Sequence, residues 1–114
     1  MNILVIGGAG YIGAHVVHDL VEEGHHVIVY DNLSSGLKEN LPGNCTFIHG
    51  DILNGDELMS AFNQDICAVF HFAAQKAAGE SMVDALPFSQ TNITGTINIL
   101  DAMVKCKVNN IIFS

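Results

Sequence analysis

The sequence predicts an α/β fold, a doubly wound parallel sheet with strand order 3-2-1-4-5. Three observations carry this. Five short apolar runs punctuate the chain, and helical patterns fill most of the intervals between them. Four of the five runs are nearly continuous rather than alternating, which is the pattern of strands buried on both faces.

The first run is Ile3–Ile6. From Tyr11 to Glu23, Ile12, Val16, Val17, Leu20 and Val21 recur at helical spacing, and Gly24 supplies a stop. The second run is His26–Tyr30. The stretch Asn32–Asn44 is rich in Ser, Gly, Asn and Pro and reads as mostly loop. Thr46–His49 is the third run. After it, Asn54-Gly55-Asp56-Glu57 has capping-box spacing, with Asn in place of Ser or Thr, ahead of Leu58–Phe62. The fourth run is Ala68–Phe72.

Ile93, Ile97, Leu100 and Val104 then form a stripe at helical spacing, and Pro87 suits a first helical turn. Asn92 is expected near the start of that long helix. Gly95 in its interior costs about 1 kcal/mol relative to alanine, a cost that a close helix–sheet contact justifies. The last run is Asn110–Phe113. An apolar strand on an open edge is an aggregation liability, so the expectation is a domain that continues past Ser114. Residues 1–114 then form one incomplete cofactor-binding segment, with the substrate region beyond it.

Composition excludes several function classes. The chain has 114 residues, 14% charged and 49% apolar, with twelve acids against four lysines and a net charge of −8. Typical soluble domains carry about 25% charged residues, so this is mostly interior. Such an acidic chain repels phosphate backbones, which excludes nucleic-acid binding through general electrostatics. The longest apolar runs, such as Ala68–Ala74 with His71 inside it, fall far short of the ~18 residues needed to span a membrane. Cys45, Cys67 and Cys106 are widely spaced and form no C-x-x-C pair, so reduced thiols in a cytoplasmic protein are expected. Met1 leads into a strand rather than a signal peptide. The histidines read as structural: His25 and His26 beside a turn, His15 and His18 on a helix, His49 and His71 in strands. They show no metal-ligand spacing. A nucleophile elbow is absent.

The chemistry concentrates in the segment Gly7-Gly8-Ala9-Gly10-Tyr11-Ile12-Gly13, between the first strand and first helix. Gly8, Gly10 and Gly13 satisfy G-x-G-x-x-G, and Gly7, Gly10 and Gly13 satisfy G-x-x-G-x-x-G. Absent side chains let the turn tighten and let backbone N–H groups approach a pyrophosphate, while the helix start at Tyr11 and Ile12 adds partial positive charge. Asp31 ends the second strand, 18 residues after Gly13. A carboxylate there accepts both ribose hydroxyls of NAD and repels the 2′-phosphate of NADP. The chain contains no arginine to receive that phosphate, and NAD is the expected cofactor. The alternative is a turn aspartate.

Asp51 ends the third strand and is placed to accept from the adenine amino group, with Ile52 supplying backbone contacts and apolar packing. The alternative, a cap for the next helix, suits Asn54 better. Small residues in Phe72-Ala73-Ala74 allow close approach of a cofactor. Lys76 reads as a cofactor contact or a solvated loop lysine, and Asn92 as an orienting amide or a cap. Gly7, Asp31, Asp51, Phe72 and Ser114 each lie at or just past the carboxyl end of a different strand, the edge where open parallel sheets bind ligands. The architecture is therefore Rossmann-like.

Those segments, together with Asp31-Asn32-Leu33, Gly50-Asp51-Ile52, Lys76-Ala77-Ala78-Gly79-Glu80-Ser81, Asn92-Ile93-Thr94-Gly95-Thr96 and Phe113-Ser114, resemble the extended short-chain dehydrogenase/reductases. The likeness is greatest to the branch that epimerises nucleotide sugars. It covers the whole chain but only the N-terminal third or so of such an enzyme. The resemblance implies cofactor contacts from Tyr11 and Ile12 to pyrophosphate, and from Asp31, Asn32, Leu33, Ser34, Ser35 and Gly36 around the adenosine ribose. It also implies contacts from Asp51 and Ile52 to adenine, and from Phe72, Ala73, Ala74, Gln75, Lys76 and Asn92 near the nicotinamide.

The implied activity is interconversion of UDP-glucose and UDP-galactose, with a UDP-sugar substrate, a homodimer and a place in galactose metabolism. In that family a Ser and a Tyr-x-x-x-Lys pair do the chemistry. Here Tyr11 is followed four residues on by His15 and Tyr30 by Ser34, so no catalytic residue is assigned; the serine is expected shortly after Ser114. Phe88-Ser89 stands where the family usually has two tyrosines, and Pro87 is shifted, which leaves the nucleotide sugar open. A 4,6-dehydratase, another extended reductase and a non-catalytic NAD-binding regulator share this cofactor half and remain alternatives.

Overall fold

Strands form where the apolar runs lie: β1 Asn2–Ile6, β2 His26–Asp31, β3 Thr46–His49, β4 Ala68–His71 and β5 Ile111–Phe113. The computed structural model describes residues 1–7, 11–32, 38–72 and 85–113, and only the backbone of residues 11, 38, 64, 85–92 and 113. The strands make one parallel sheet in the order β3-β2-β1-β4-β5, as expected. Ile3 to Ile6 pair with Val27 to Tyr30 on one side and with Ala68 to His71 on the other. β2 pairs onward to β3, with Asp31 opposite His49, and β4 to β5, with His71 opposite Phe113.

The continuous character of β1 follows from two cores. Successive side chains on a strand point to opposite faces. Ile3 and Val5 pack with Val17, Val27 and Val29 beneath α1 (Tyr11–Glu22). Leu4 and Ile6 pack with Ile28, Tyr30, Leu58 and Ile99 beneath α2 (Gly55–Ala61) and α3 (Ala85–Lys105). A polar residue at any position from Ile3 to Ile6 is therefore buried without water.

The helix ends obey local chemistry. At the start of α2, Asn54 accepts from the Glu57 N–H at 3.2 Å, the expected cap. At the end of α1, His25 N–H donates to Leu20 O and Gly24 N–H to Val21 O, with Gly24 at φ 92°. This is a Schellman closure, and glycine suits its left-handed position. The same pair of bonds closes α3, from Val108 to Met103 O and from Lys107 to Val104 O, but Lys107 occupies the left-handed position at φ 60°.

Two expectations about α3 need correction. Asn92 is not at the start of the helix: the helix begins at Ala85, so Asn92 is in its third turn, and Pro87 in the first turn is the better marker of its origin. The stripe that marks the helix is not the face it buries. Ile93, Ile97, Leu100 and Val104 are 60, 58, 42 and 78% exposed, whereas Ile99, Ala102 and Met103 pack on the sheet. Gly95 does make a close contact, yet with Ile52 in the loop after β3 rather than with the sheet. An added Cβ there lies 2.9 Å from Ile52 Cγ1 and closer still to Cδ1. The stretch 32–44, read as mostly loop, holds a 3-10 turn at Lys38–Asn40.

No helix among the described residues is long and apolar enough to cross a membrane. The left-handed lysine gives a direct test of the capping argument. Lys107→Gly is expected to stabilise the chain by about 1 kcal/mol in urea denaturation, and an unchanged or lower midpoint contradicts it.

Candidate functional site

The carboxyl ends of β1, β2, β3 and β4 arrive together at one edge, because all the strands are parallel and in register. At the first of them the chain must turn at once. Gly7 does so at φ 85°, in a region that disfavours side chains, and its N–H donates to Tyr30 O at 2.8 Å. That bond ties the end of β1 to the end of β2. On the other side Phe72 N–H donates to Ile6 O at 2.6 Å, which extends the β1–β4 ladder one residue past the strand.

Helix α1 begins at Tyr11, four positions after Gly7, so the N–H groups of its first turn, which have no partner within the helix, lie at the same edge. Gly13 is buried in that turn, while Ile12 is 60% exposed. An anion at this place gains both backbone donors and the helix dipole.

Asp31 ends β2 with only 9% of its surface exposed. Its carbonyl accepts from Gly50 N–H at 3.1 Å, and Asn32 O lies 3.3 Å from His49 Nε2. The acid expected at the ribose and the loop expected at the adenine are thus adjacent.

That loop, residues 50–54, is held from several sides. Asp51 Oδ1 accepts from Leu53 N–H at 2.9 Å, and Asn54 N–H donates to Asp51 O at 3.0 Å. The Tyr30 hydroxyl donates to Asp51 O at 2.7 Å, and Asn98 Nδ2 donates to Ile52 O at 2.8 Å. Gly50 lies against the Tyr30 ring, where an added Cβ meets ring carbons and the hydroxyl at 2.6–2.7 Å. Tyr30 is fully buried. Burial, then the carboxylates of Glu57 and Asp51, push its phenol up to about 12, so it is a neutral donor throughout the physiological range.

Of the residues expected at the site, Gly7, Ile12, Gly13, Asp31, Asn32, Asp51, Ile52 and Phe72 are described, and the backbones of Tyr11 and Asn92. Gly7, Tyr11, Asp31, Asp51 and Phe72 come to one edge. The side chain of Ile52 instead packs into the core beneath α3 and is 7% exposed. Gly10, Leu33, Ser34, Ser35, Gly36, Ala73, Ala74, Gln75, Lys76 and Ser114 lie outside the described residues. Sequence reasoning missed Tyr30 and Asn98. The signal for Tyr30 was a phenol directly after the aliphatic run Val27-Ile28-Val29, since a buried hydroxyl needs a partner. For Asn98 it was an amide one position from the buried Ile99.

Among the described residues no group of three His, Cys, Asp or Glu is arranged to hold a metal. The histidines contact nearby groups: His18 Nε2 lies 3.0 Å from Asn40 O, and His26 Nε2 lies 3.1 Å from Thr46 Oγ1.

Comparison with known proteins bears on this edge. Residues 3–114 match the family described as NAD dependent epimerase/dehydratase. The UDP-glucose 4-epimerase of Erwinia amylovora is 44% identical over all of this chain and 36% of that protein. That of Klebsiella pneumoniae is 40% identical over all of this chain and 88% of that protein. Among solved structures, the UDP-glucose 4-epimerase of Thermotoga maritima with UDP-glucose matches with a TM-score of 0.93 and 43% identity, over 99% of this chain and 37% of that one. The UDP-glucose 4-epimerase of Brucella ovis in complex with NAD matches with a TM-score of 0.93 and 39% identity, over 98% and 34%. The chain thus spans about a third of the length of these proteins, apart from the Klebsiella one.

The packing of Gly50 on a hydrogen-bonded, buried ring leaves little room to relax. Gly50→Ala is expected to cost about 1–3 kcal/mol, measured by denaturation; a cost near zero contradicts the contact. Tyr30 also predicts a pH effect. The folded chain keeps its phenol proton up to about 12 against 10.0 for the unexceptional group, so folding holds a proton that the unfolded chain releases. Stability from this group is complete below pH 10.0 and declines as pH rises toward about 12. Tyr30→Phe should flatten that decline.

Proposed function

Because the chain belongs to the NAD dependent epimerase/dehydratase family, we propose that its strand-end crevice binds NAD and that the whole protein interconverts UDP-glucose and UDP-galactose. The observation that carries this reading is the convergence on one edge of the Gly7 turn, the α1 N-terminus and the Asp31 carboxylate.

The donor set suits the dinucleotide. Gly7 and Gly10 allow the backbone to approach the pyrophosphate, and Tyr11, Ile12 and Gly13 offer the first-turn amides. Asp31 and Asn32, with Leu33, Ser34, Ser35 and Gly36, surround the adenosine ribose, and Asp51 and Ile52 meet adenine. Phe72, Ala73, Ala74, Gln75, Lys76, Asn92 and Ser114 line the nicotinamide side. When bound, NAD supplies a hydride acceptor for the sugar's 4-position. The part of this chain is to hold and orient it, since no Tyr-x-x-x-Lys occurs in residues 1–114. The protein acts in the cytoplasm, in galactose metabolism, as a homodimer. The exposed stripe on α3 supports the dimer, since its 4-3-4 spacing is that of a heptad seam that a second helix fits.

The relatives support the same reading: the Brucella ovis structure holds NAD and the Thermotoga maritima one UDP-glucose. Calorimetric titration is expected to show NAD binding with clear discrimination against NADP. Asp31→Ala should weaken NAD binding by about tenfold or more, the loss of hydrogen bonds to a charged group. Equal affinity for the two dinucleotides contradicts the reading. In the whole protein, UDP-galactose turnover is expected; NAD binding without turnover favours the non-catalytic regulator. Sedimentation should give a dimer that Ile97→Glu dissociates, and a monomer contradicts the proposed assembly.

A further inference from the structure

The loop at residues 50–54 has to present Asp51 and Ile52 in one orientation, and its own bonds, from Leu53 N–H to Asp51 Oδ1 and from Asn54 N–H to Asp51 O at 3.0 Å, fix only part of that. It carries Gly50 and spans only the gap between His49 of β3 and Gly55 of α2. The rest comes from two other elements. The Asp51 carbonyl is held at 2.7 Å by the hydroxyl of Tyr30, and the Ile52 carbonyl at 2.8 Å by the amide of Asn98. Tyr30 immediately precedes Asp31, and Asn98 sits on α3 one turn from Gly95, against which the Ile52 side chain is seated.

With both carbonyls held, rotation of the Asp51–Ile52 peptides is blocked. The Asp51 carboxylate is then fixed in turn, because Oδ1 accepts from Leu53 N–H at 2.9 Å while Oδ2 has no hydrogen bond among the described residues.

We propose that Tyr30 and Asn98 are positioning residues for adenine recognition: by holding the Asp51 and Ile52 carbonyls they aim the Asp51 carboxylate at the base's 6-amino group. The inference rests on the proposed reading that this edge binds NAD through Asp51. Its chemistry makes a specific demand. A 6-amino group donates to a carboxylate, whereas a base with a 6-oxo group presents an acceptor and is repelled. Discrimination between the two bases depends on how firmly the carboxylate is aimed. Overall affinity depends on many other contacts.

The test compares affinities of the full chain for NAD and for nicotinamide hypoxanthine dinucleotide, whose base carries the 6-oxo group. Tyr30→Phe keeps the ring against Gly50 and removes only the hydroxyl. Asn98→Ala removes an independent donor on another element, and Asn98→Gln restores an amide. The preference for NAD is expected to fall by about threefold to tenfold in Tyr30→Phe and in Asn98→Ala, with partial recovery in Asn98→Gln. A merely structural role lowers stability and leaves the ratio where it was. Asp51→Asn separates the two levels. If it abolishes the preference while Tyr30→Phe and Asn98→Ala leave the preference intact, the positioning role is overturned and the adenine reading stands. If Asp51→Asn itself leaves the preference intact, the adenine reading falls, and the positioning role with it.

Discussion

The peptide after Ile6 must leave a fully buried strand in one step without abandoning its N–H. Gly7 meets both demands, adopting φ 85° while donating to Tyr30 O at 2.8 Å. Most of the site depends on that turn. It locks the ends of β1 and β2 together, so that the start of α1 at Tyr11 and the end of β2 at Asp31 come to one edge of the sheet. A side chain at Gly7 strains the turn.

The second level of organisation is Tyr30. Its ring fills the space above Gly50, and its hydroxyl reaches across to the next loop. A phenol buried this way is kept neutral by desolvation and by two neighbouring carboxylates, so it keeps the proton that it donates to Asp51 O. The aliphatic neighbours in β2 contribute burial alone. Tyr30 adds a directed bond, and with it a mechanical link between Asp31 and the loop carrying Asp51.

Much of this was legible in the sequence. Burial on both faces forces continuous apolar runs, and the order β3-β2-β1-β4-β5 follows from alternation of strands with helices. Asn54 and Gly24 announced their caps because capping is local chemistry. The orientation of α3 was not legible. That helix carries apolar residues on two sides, Ile93, Ile97, Leu100 and Val104 outward and Ile99, Ala102 and Met103 inward, and periodicity alone does not say which set meets the sheet. Its start was hidden because 85–92 lacks a periodic apolar pattern. The contacts of Tyr30 with Asp51 and of Asn98 with Ile52 join residues 21 and 46 apart. They accompany two long-range fits, the Tyr30 ring over Gly50 and the Ile52 side chain against Gly95, which no local pattern records.

The central claim, that the dinucleotide occupies the carboxyl edge of the sheet, is tested most directly by following backbone amide resonances while NAD is added. The predicted result is large shifts at Gly7, Ile12, Asp31 and Asp51, with Gly24 and Lys107 at the opposite ends of α1 and α3 unmoved. Shifts confined to Gly24, Lys107 and their neighbours, or spread evenly over the chain, contradict it.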